Sequence, residues 1–486
     1  MMNTLKNYIN GRSCELLGLG VSNLPLAMEI AEMGVGLTVR DKKSIEELGE
    51  GAKTLASRGV RFVTGERAFD ELSGDVIFRS PGIRPDRACL VGAKARGGEI
   101  TSEMELFLAL TQARTFGVTG SDGKTTTTTL TGEFLSAQAQ RRGNRCFVGG
   151  NIGEPLLHKL DLMTPHDYAV TELSSFQLMT VRKAPRFAAI TNISPNHLDW
   201  HTGMEEYQRA KLNIVGEGTE RLVTNADNER TAAIAAELLR SENRPALYLF
   251  SSTKGSFEEI YPMGHRVGDC GVYEKDGFIV LSDGKREKRL LSTDRIHVPG
   301  RHNLENFMTA VALTYGQVDE DVYGEVADRF FGVAHRLELI RTLDGVDYFN
   351  SSIDSSPTRT LAALSALDGR DIVIICGGYD KKIPYEPLAE GLTKQVRAAV
   401  FTGATGGKIE RALLECDGYR EGCPEYVYEP DFERAVRRAR KMARAGGCVL
   451  LSPASASFDA FPNFAVRGDT FRRIVNGFEA AEGDKN

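Results

Sequence analysis

An apolar, strand-like stretch containing Phe116 and Val118 runs directly into Thr119-Gly120-Ser121-Asp122-Gly123-Lys124-Thr125 and then into a threonine-rich run. No other part of the chain restricts the fold as much. Glycines let a tight loop turn its backbone N–H groups inward, and the helix that follows aims the positive end of its dipole at the same spot. The lysine adds a full charge, and the next hydroxyl can ligate magnesium. The pattern predicts a phosphate cradle at a strand-to-helix junction. The standard spacing for such loops would place its first glycine at Val118, so the standard motif is only partly matched. A glycine turn that merely caps a helix is the competing reading. The coincidence of glycine, lysine and hydroxyl at one junction favours phosphate.

At 486 residues the chain is too long for one ordinary core, and its length suggests about three domains. The composition, 41% hydrophobic and 26% charged, is that of a soluble globular protein. The net charge of −6 does not favour broad binding to nucleic acid or to anionic membranes, so any cations that serve a polyphosphate must be local. The eight cysteines are scattered without a C-x-x-C pair, which argues against a zinc ribbon or redox motif. They read as reduced, mostly buried thiols of a cytosolic protein. No secretory signal is visible at the N-terminus, and no apolar run approaches the length of a membrane span.

Three α/β units follow one another. The first reaches residue 112. Glu15-Leu16-Leu17 leads into the turn Gly18-Leu19-Gly20-Val21-Ser22-Asn23, an amphipathic stretch follows at 24–33, and a second strand at 36–40 ends at Asp41. An acid at a strand end about 20 residues after a glycine turn suggests a nucleotide or nucleotide-sugar site, although the Gly-x-Gly alone is weak. A short buried strand at 75–79 ends in Ser80-Pro81-Gly82, a loop at the carboxyl end of the sheet, where open α/β folds bind ligands. The second unit spans 113–333. It opens with the phosphate loop and continues with a strand at 168–172 ending in Glu172 and another at 188–193 ending in a polar loop. The third unit spans 334–486 and contains an apolar run at 371–376 fit for a strand buried on both faces. Further strands are expected at 398–401 and 448–451, and a basic-faced helix at 432–444.

Glu172, at a strand end near a phosphate loop, is a natural magnesium ligand, because magnesium needs only one or two carboxylates beside phosphate oxygens. An acid favoured by a helix dipole is the alternative. His197, in the loop Asn192-Ile193-Ser194-Pro195-Asn196-His197-Leu198-Asp199, reads by itself as a surface or capping residue. Lys211 follows a helix-like stretch at 204–210 and reads by composition as an ordinary surface lysine. Asn303 and Asn306 lie on one face of a predicted helix, as base-reading amides or as cap residues.

Together these motifs resemble the Mur ligase family of ATP-dependent, amide-forming enzymes of bacterial peptidoglycan precursor synthesis. The resemblance covers essentially the whole chain. The family phosphate loop is the short Gly-x-x-Gly-Lys-Ser/Thr form, which accounts for Gly120 to Thr125. Glu172-Leu173-Ser174-Ser175-Phe176-Gln177-Leu178 is similar to the signature of the branch that adds D-glutamate. The loop at 192–199, Arg301-His302-Asn303 through Asn306, His335-Arg336-Leu337-Glu338 and Ser452-Pro453-Ala454-Ser455-Ala456-Ser457-Phe458-Asp459 match in the same order. The fold implied is α/β in three domains. These are an N-terminal Rossmann-like nucleotide-sugar domain (1–112), a central P-loop ATPase-like domain (113–333) and a C-terminal Rossmann-like domain for the amino acid (334–486).

The activity implied is ATP-dependent joining of D-glutamate to UDP-N-acetylmuramoyl-L-alanine through an acyl phosphate. The enzyme would act in the cytoplasm as a monomer on small molecules, with neither nucleic acid nor membrane insertion. The resemblance implies that Gly120, Ser121, Asp122, Gly123, Lys124, Thr125 and Thr126 hold ATP, with Asn303, Asn306 and Arg336 on the ATP side. It implies two magnesium ions, one on Thr125 and Glu172 and a second served by His197 and a carbamylated Lys211, and a catalytic set of Lys124, His197 and Lys211. Gly20, Val21, Ser22, Asn23, Asp41, Lys42, Ser80, Pro81 and Gly82 would hold the UDP part of the substrate. Ser355, Lys381, Ser457 and Phe464 would hold D-glutamate, with Lys382 adjacent to the clamp position.

The chain departs from the family at Ser351, where the family often has an aspartate near the ATP ribose, while Asp354 lies three residues on. Either Asn350 and Ser351 make that contact with neutral groups or the contact is lost, and a weaker ATP interaction is expected. An alanine-adding ligase, a folylpolyglutamate synthase and a non-catalytic nucleotide-binding homologue are the other readings. The folylpolyglutamate synthase lacks the nucleotide-sugar unit read at the N-terminus. The alanine-adding ligase differs after Glu172. The non-catalytic homologue has no need of the intact set Lys124, Thr125, Glu172, His197 and Lys211.

Overall fold

A computed structural model describes residues 4–20, 22–198, 200–381 and 383–480. The chain is α/β, and among the described residues its longer sheets fall into three groups. It divides into two compact units, Met1–Arg295 with Leu304–Ala327, and Ile296–Asn303 with Asp328–Asn486. The first unit carries two of the sheets and the second carries the third. No described helix is long and apolar enough to cross a membrane.

The first sheet runs in the order Arg61–Thr64, Leu37–Asp41, Cys14–Leu17, Val76–Arg79, Glu99–Thr101, all parallel. Its centre, Cys14–Leu17, is buried throughout. Because the strand order reverses on either side of that centre, the loops after Leu17 and Arg79 flank one crevice at the carboxyl ends. The expected helix at 24–33 is Asn23–Glu32.

The second sheet follows the order Glu287–Ser292, Phe278–Ser282, Cys270–Lys275, Ala246–Ser251, Arg221–Asn225, Phe187–Ile190, Arg114–Thr119, Tyr168–Glu172, Cys146–Gly150. Arg114–Thr119 pairs with Tyr168–Glu172 on one side and Phe187–Ile190 on the other, so three loops open side by side. The helix Lys124–Arg142 begins with five threonines after its lysine, a poor composition for a helix because branching at Cβ restricts χ1. Hydroxyls turned back onto the preceding turn accommodate it: Thr129 donates to the Thr125 carbonyl and Thr131 to that of Thr127. Gly143, with φ of 70°, ends the helix in the left-handed conformation. The three strands at 270–292 are an antiparallel extension of the sheet. Sequence reading left them unassigned, although Asp276-Gly277, both at positive φ, is a strong two-residue hairpin signal.

In the second unit the sheet order is Glu338–Leu343, Val346–Asn350, Cys448–Leu451, Ile372–Gly377, Ala398–Thr402, Glu425–Tyr428. Ile372–Gly377 is buried at every residue, as its unbroken apolar run predicts. The helix expected at 432–444 is Phe432–Met442.

Within the first unit the two sheets are tied by a buried carboxylate. Glu103, on the helix Glu103–Leu110, accepts the N–H groups of Leu156 and Leu157 at 2.9 Å each. Burial pushes its carboxyl up to about 7, and the two N–H donors oppose that rise. In the unfolded chain the same group loses its proton near its ordinary value of about 4.3, so between the two values only the folded state holds the proton, and stability falls as pH rises through that window. Glu103→Gln keeps an acceptor for both N–H groups and removes the charge. It should be more stable than the native chain at about pH 8, by up to about 4 kcal/mol at ~1.4 kcal/mol per pKa unit, with a higher thermal midpoint, and the gap should narrow toward about pH 5. A gap independent of pH in thermal melts would contradict this.

Candidate active site

The loop after Arg114–Thr119 is held from beneath by the loop after Phe187–Ile190. Ser121 N–H donates to the Asn192 carbonyl at 2.9 Å, and Asp122 N–H donates to Asn192 Oδ1 at 3.0 Å. Thr191 Oγ1 donates to the Asp122 carbonyl at 2.6 Å. The Ser121 hydroxyl is shared between the Ser194 carbonyl and the Tyr207 hydroxyl. A side chain at Gly120 would collide with Thr191 Oγ1 and one at Gly123 with Asn306 Oδ1, and both glycines have positive φ. No side chain caps the helix that begins at Lys124. Its first N–H groups, with the dipole behind them, suit an anion. Thr125 is half-buried and Thr126 buried in that first turn. The Lys124 ammonium lies back over the loop, donating to the carbonyls of Gly120 at 3.0 Å and Ser121 at 2.9 Å.

Lys211 corrects the composition-based reading of a surface lysine. The helix runs from Met204 to Leu212, past the expected end at 210, and carries the side chain inward to 1% exposure. Its Nζ donates to the Gly120 carbonyl at 2.6 Å and sits 4.5 Å from the centre of the Tyr207 ring. Burial, and then the neighbouring charge of Lys124, lower its pKa to about 6. At neutral pH such an amine is largely uncharged and nucleophilic. His197 is exposed, with φ of 54°, and its ring lies 5.0 Å from that of Phe176 and 6.4 Å from that of Tyr207. Tyr207 thus stands between His197 and Lys211.

Glu172 is 2% exposed. Its Oε1 accepts from Asn151 Nδ2 at 2.8 Å, and its Oε2 is buried with no hydrogen-bond partner. A buried carboxylate oxygen without a proton donor suits a cation. Asn151 was missed by sequence reading; the only signal for it was its place after the glycine pair that ends Cys146–Gly150. Among the described residues no three His, Cys, Asp or Glu side chains cluster tightly enough to hold a metal ion. That donor set fits magnesium, which takes its remaining ligands from water and phosphate, better than it fits a closed protein cage.

At the first sheet, Gly20, Ser22, Ser80, Pro81 and Gly82 line the open carboxyl end, and Val21 lies outside the described residues. Two expected ligand contacts serve the loops themselves. Asn23 is buried and donates to the carbonyls of Leu17 and Gly18. Asp41 accepts the N–H groups of Leu19 and Lys43. Lys42 is exposed and pairs with Glu66 at 3.0 Å.

In the second unit, Lys381 is exposed with its Nζ 3.4 Å from Ser355 Oγ. Lys382 and, in the first unit, Asp199 lie outside the described residues. Ser457 is buried and Phe464 is exposed, and the Phe464 carbonyl accepts from Ser352 Oγ at 2.8 Å. Arg467 organises these loops. Its buried guanidinium donates to Ser352 and to the carbonyls of Ser455 and Ala456. In the sequence it looks like any helical arginine.

Asn303, in the first turn of the helix Arg301–Thr314, donates through Nδ2 to the Pro299 carbonyl at 2.6 Å. Arg336 sits between two residues of positive φ, His335 and Leu337. The neutral ribose contact suggested for Asn350 and Ser351 is corrected. Asn350 is fully buried, with its amide engaged by His335, Glu338 and Gly468. Ser351 Oγ accepts the Leu337 N–H at 3.1 Å. Asp354 accepts from Ser452 Oγ at 2.8 Å, and burial pushes its carboxyl up to about 6 against the pull of Ser351, Ser452 and Arg336. Asn306 belongs to the first unit, where its Oδ1 accepts from Thr127 behind the phosphate loop.

Two family profiles match the chain: the Mur ligase middle domain over residues 118–314 and the Mur ligase, glutamate ligase domain over residues 335–455. The UDP-N-acetylmuramoylalanine–D-glutamate ligase of Ruminiclostridium cellulolyticum is 41% identical over 98% of both chains. The protein of the same name from Clostridium novyi is 42% identical over 98% of both. Among solved structures, the UDP-N-acetylmuramate–alanine ligase of Thermotoga maritima covers 96% of this chain and 99% of its own at a TM-score of 0.54 and 18% identity, a likeness of fold alone. From its profile matches and its near full-length identity to these ligases, the chain belongs to the Mur ligase family.

Proposed function

We propose that the chain joins D-glutamate to UDP-N-acetylmuramoyl-L-alanine at the expense of ATP, in cytoplasmic peptidoglycan precursor synthesis, as a monomer. The observation that carries this reading is identity above 40% to ligases of that name along almost the whole length. The phosphate loop and Lys211 support it by meeting at the Gly120 carbonyl, and Glu172 by ending the strand paired with Arg114–Thr119. The three-domain division at 112 and 333 is part of the proposal.

The substrate's alanyl carboxylate attacks the γ-phosphorus of ATP, ADP leaves, and an acyl phosphate forms. The D-glutamate amine then adds to the acyl carbon and expels orthophosphate. Both steps bring anions together, so fixed positive groups are required. Lys124 and the N–H groups from Gly123 to Thr126 hold the β- and γ-phosphates, with Gly120 to Asp122 shaping the loop. Thr125 and Glu172 hold one magnesium, which when bound offsets charge on the phosphate oxygens. Lys211, kept neutral by burial, attacks carbon dioxide through Nζ and sheds one proton, leaving an anionic carbamate. With His197 the carbamate provides oxygen and nitrogen donors for a second ion. Asn303, Asn306 and Arg336 serve ATP. Ser355, Lys381, Ser457 and Phe464 serve D-glutamate. The loops carrying Gly20, Ser22 and Ser80 to Gly82 serve the uridine nucleotide, with Asn23 and Asp41 shaping them.

A coupled phosphate-release assay tests the reading. With ATP, magnesium and the muramoyl nucleotide, D-glutamate should release orthophosphate and lengthen the nucleotide product, while L-glutamate and L-alanine should not. Turnover with L-alanine on the shorter muramoyl nucleotide would assign the alanine-adding reaction instead. Nucleotide binding without phosphate release would assign a non-catalytic homologue. Lys211→Ala should abolish ligation, and short-chain carboxylic acids should restore part of it by supplying the missing carboxylate. Full activity of the unsupplemented variant would remove Lys211 from the mechanism.

A further inference from the structure

Two arginines, one at the end of the strand Val76–Arg79 and one in the loop after it, reach across to the second sheet's loops: Arg79 to the segment after Glu172, and Arg84 to the segment that carries His197 and Lys211. Arg79, the last residue of Val76–Arg79, is fully buried. One arm of its guanidinium donates to the carbonyls of Pro81 at 3.1 Å and Ile83 at 2.6 Å. The other arm donates to the Phe176 carbonyl and Thr180 Oγ1, both at 3.2 Å. Arg84 follows the same loop. It donates to the Trp200 carbonyl at 2.6 Å and to both carboxylate oxygens of Glu206, at 2.9 and 3.1 Å. Trp200 returns a hydrogen bond from its indole to the Gly82 carbonyl at 3.2 Å.

Glu206 passes the connection inward. Its Oε2 contacts His201 Nδ1 at 3.1 Å, and His201 Nε2 contacts Ser175 Oγ at 2.9 Å, three residues after Glu172. The His201 side chain is fully buried, stacked on Phe176, whose ring also meets His197. Tyr207, one residue after Glu206, holds Ser121 of the phosphate loop and underlies Lys211. Direct contacts therefore lead from the loop at 80–84 to the phosphate loop and the buried amine.

We infer that Arg84 is a positioning residue. By clamping Glu206 and Trp200 to the loop at 80–84, it makes occupation of that loop by the uridine nucleotide set the geometry of His197 and Lys211. The inference rests on the reading of that loop as the nucleotide-substrate site. A purely structural salt bridge would alter stability alone. A positioning clamp alters the chemical step, because a displacement of about 1 Å in a reacting array costs on the order of 100-fold in rate.

The test compares the full-length native chain with Arg84→Met, Arg84→Lys, Glu206→Gln and the Arg84→Met/Glu206→Gln pair. Two measurements are made: steady-state ligation, and hydrogen–deuterium exchange over residues 197–212 with and without UDP-N-acetylmuramoyl-L-alanine. The expected result for Arg84→Met is a kcat lowered on the order of 100-fold with the KM for ATP within about twofold of native, partial recovery in Arg84→Lys, and a pair no worse than its worse single member. Exchange should slow over 197–212 when the nucleotide binds the native chain and should stay unchanged in Arg84→Met. Native kcat in Arg84→Met and Glu206→Gln, or nucleotide protection equal in native and variant chains, would overturn the inference. If the native chain makes no amide product, the reading of function fails by itself, and the exchange comparison still decides whether the clamp couples the loop to the segment.

Discussion

A single carbonyl oxygen, that of Gly120, receives two ammonium groups, from Lys124 and from Lys211. Two cations cannot share one acceptor in a buried site at full charge without a large electrostatic cost. Burial first, and the charge of Lys124 second, decide that the more buried partner gives way. Lys211 loses its affinity for a proton while the half-exposed Lys124 stays at the mouth of the loop. The remaining features of the centre follow from that asymmetry. Under the proposed function Lys124 serves a phosphate, and Lys211, as a neutral amine, supplies the carbamate for a second metal ion.

The supporting structure keeps this arrangement from relaxing. Gly120 and Gly123 are pressed against Thr191 and Asn306 so closely that neither position admits a side chain. Asn192 holds the loop from below and Tyr207 from the side. Asn151 fixes one oxygen of Glu172 and leaves the other bare. Thr191 and Asn192 reach the loop from the end of Phe187–Ile190, which pairs with Arg114–Thr119, whereas Tyr207 and Asn306 reach it from helices.

Much of this was legible in the sequence where the signal is local. The strand-to-helix junction at Gly120, the acid ending Tyr168–Glu172 and the buried run of Ile372–Gly377 all show in a few consecutive residues. What escaped depends on partners far along the chain. The burial of Lys211 is decided by a carbonyl 91 residues away and by a helix that continues past residue 210. Asn23 and Asp41 were read as ligand contacts because they sit where ligands bind, yet their side chains hold the backbone of the loops they shape. Arg467 has no local signature, since its role comes from joining Ser352, 115 residues upstream, to the loop at Ser455 and Ala456. The exchange of an acid for Ser351 was visible, but its meaning was not. Asn350 and Ser351 are occupied by the turn at His335 to Leu337, and the nearby acid is Asp354.

The central claim is that Lys211 is an uncharged amine poised to take up carbon dioxide. Carbon-13 NMR of the native chain equilibrated with labelled bicarbonate at neutral pH tests it most directly. The account predicts a carbamate resonance that is absent from Lys211→Arg. A native spectrum without that resonance, together with a Lys211 that titrates at the ordinary lysine value, would contradict it.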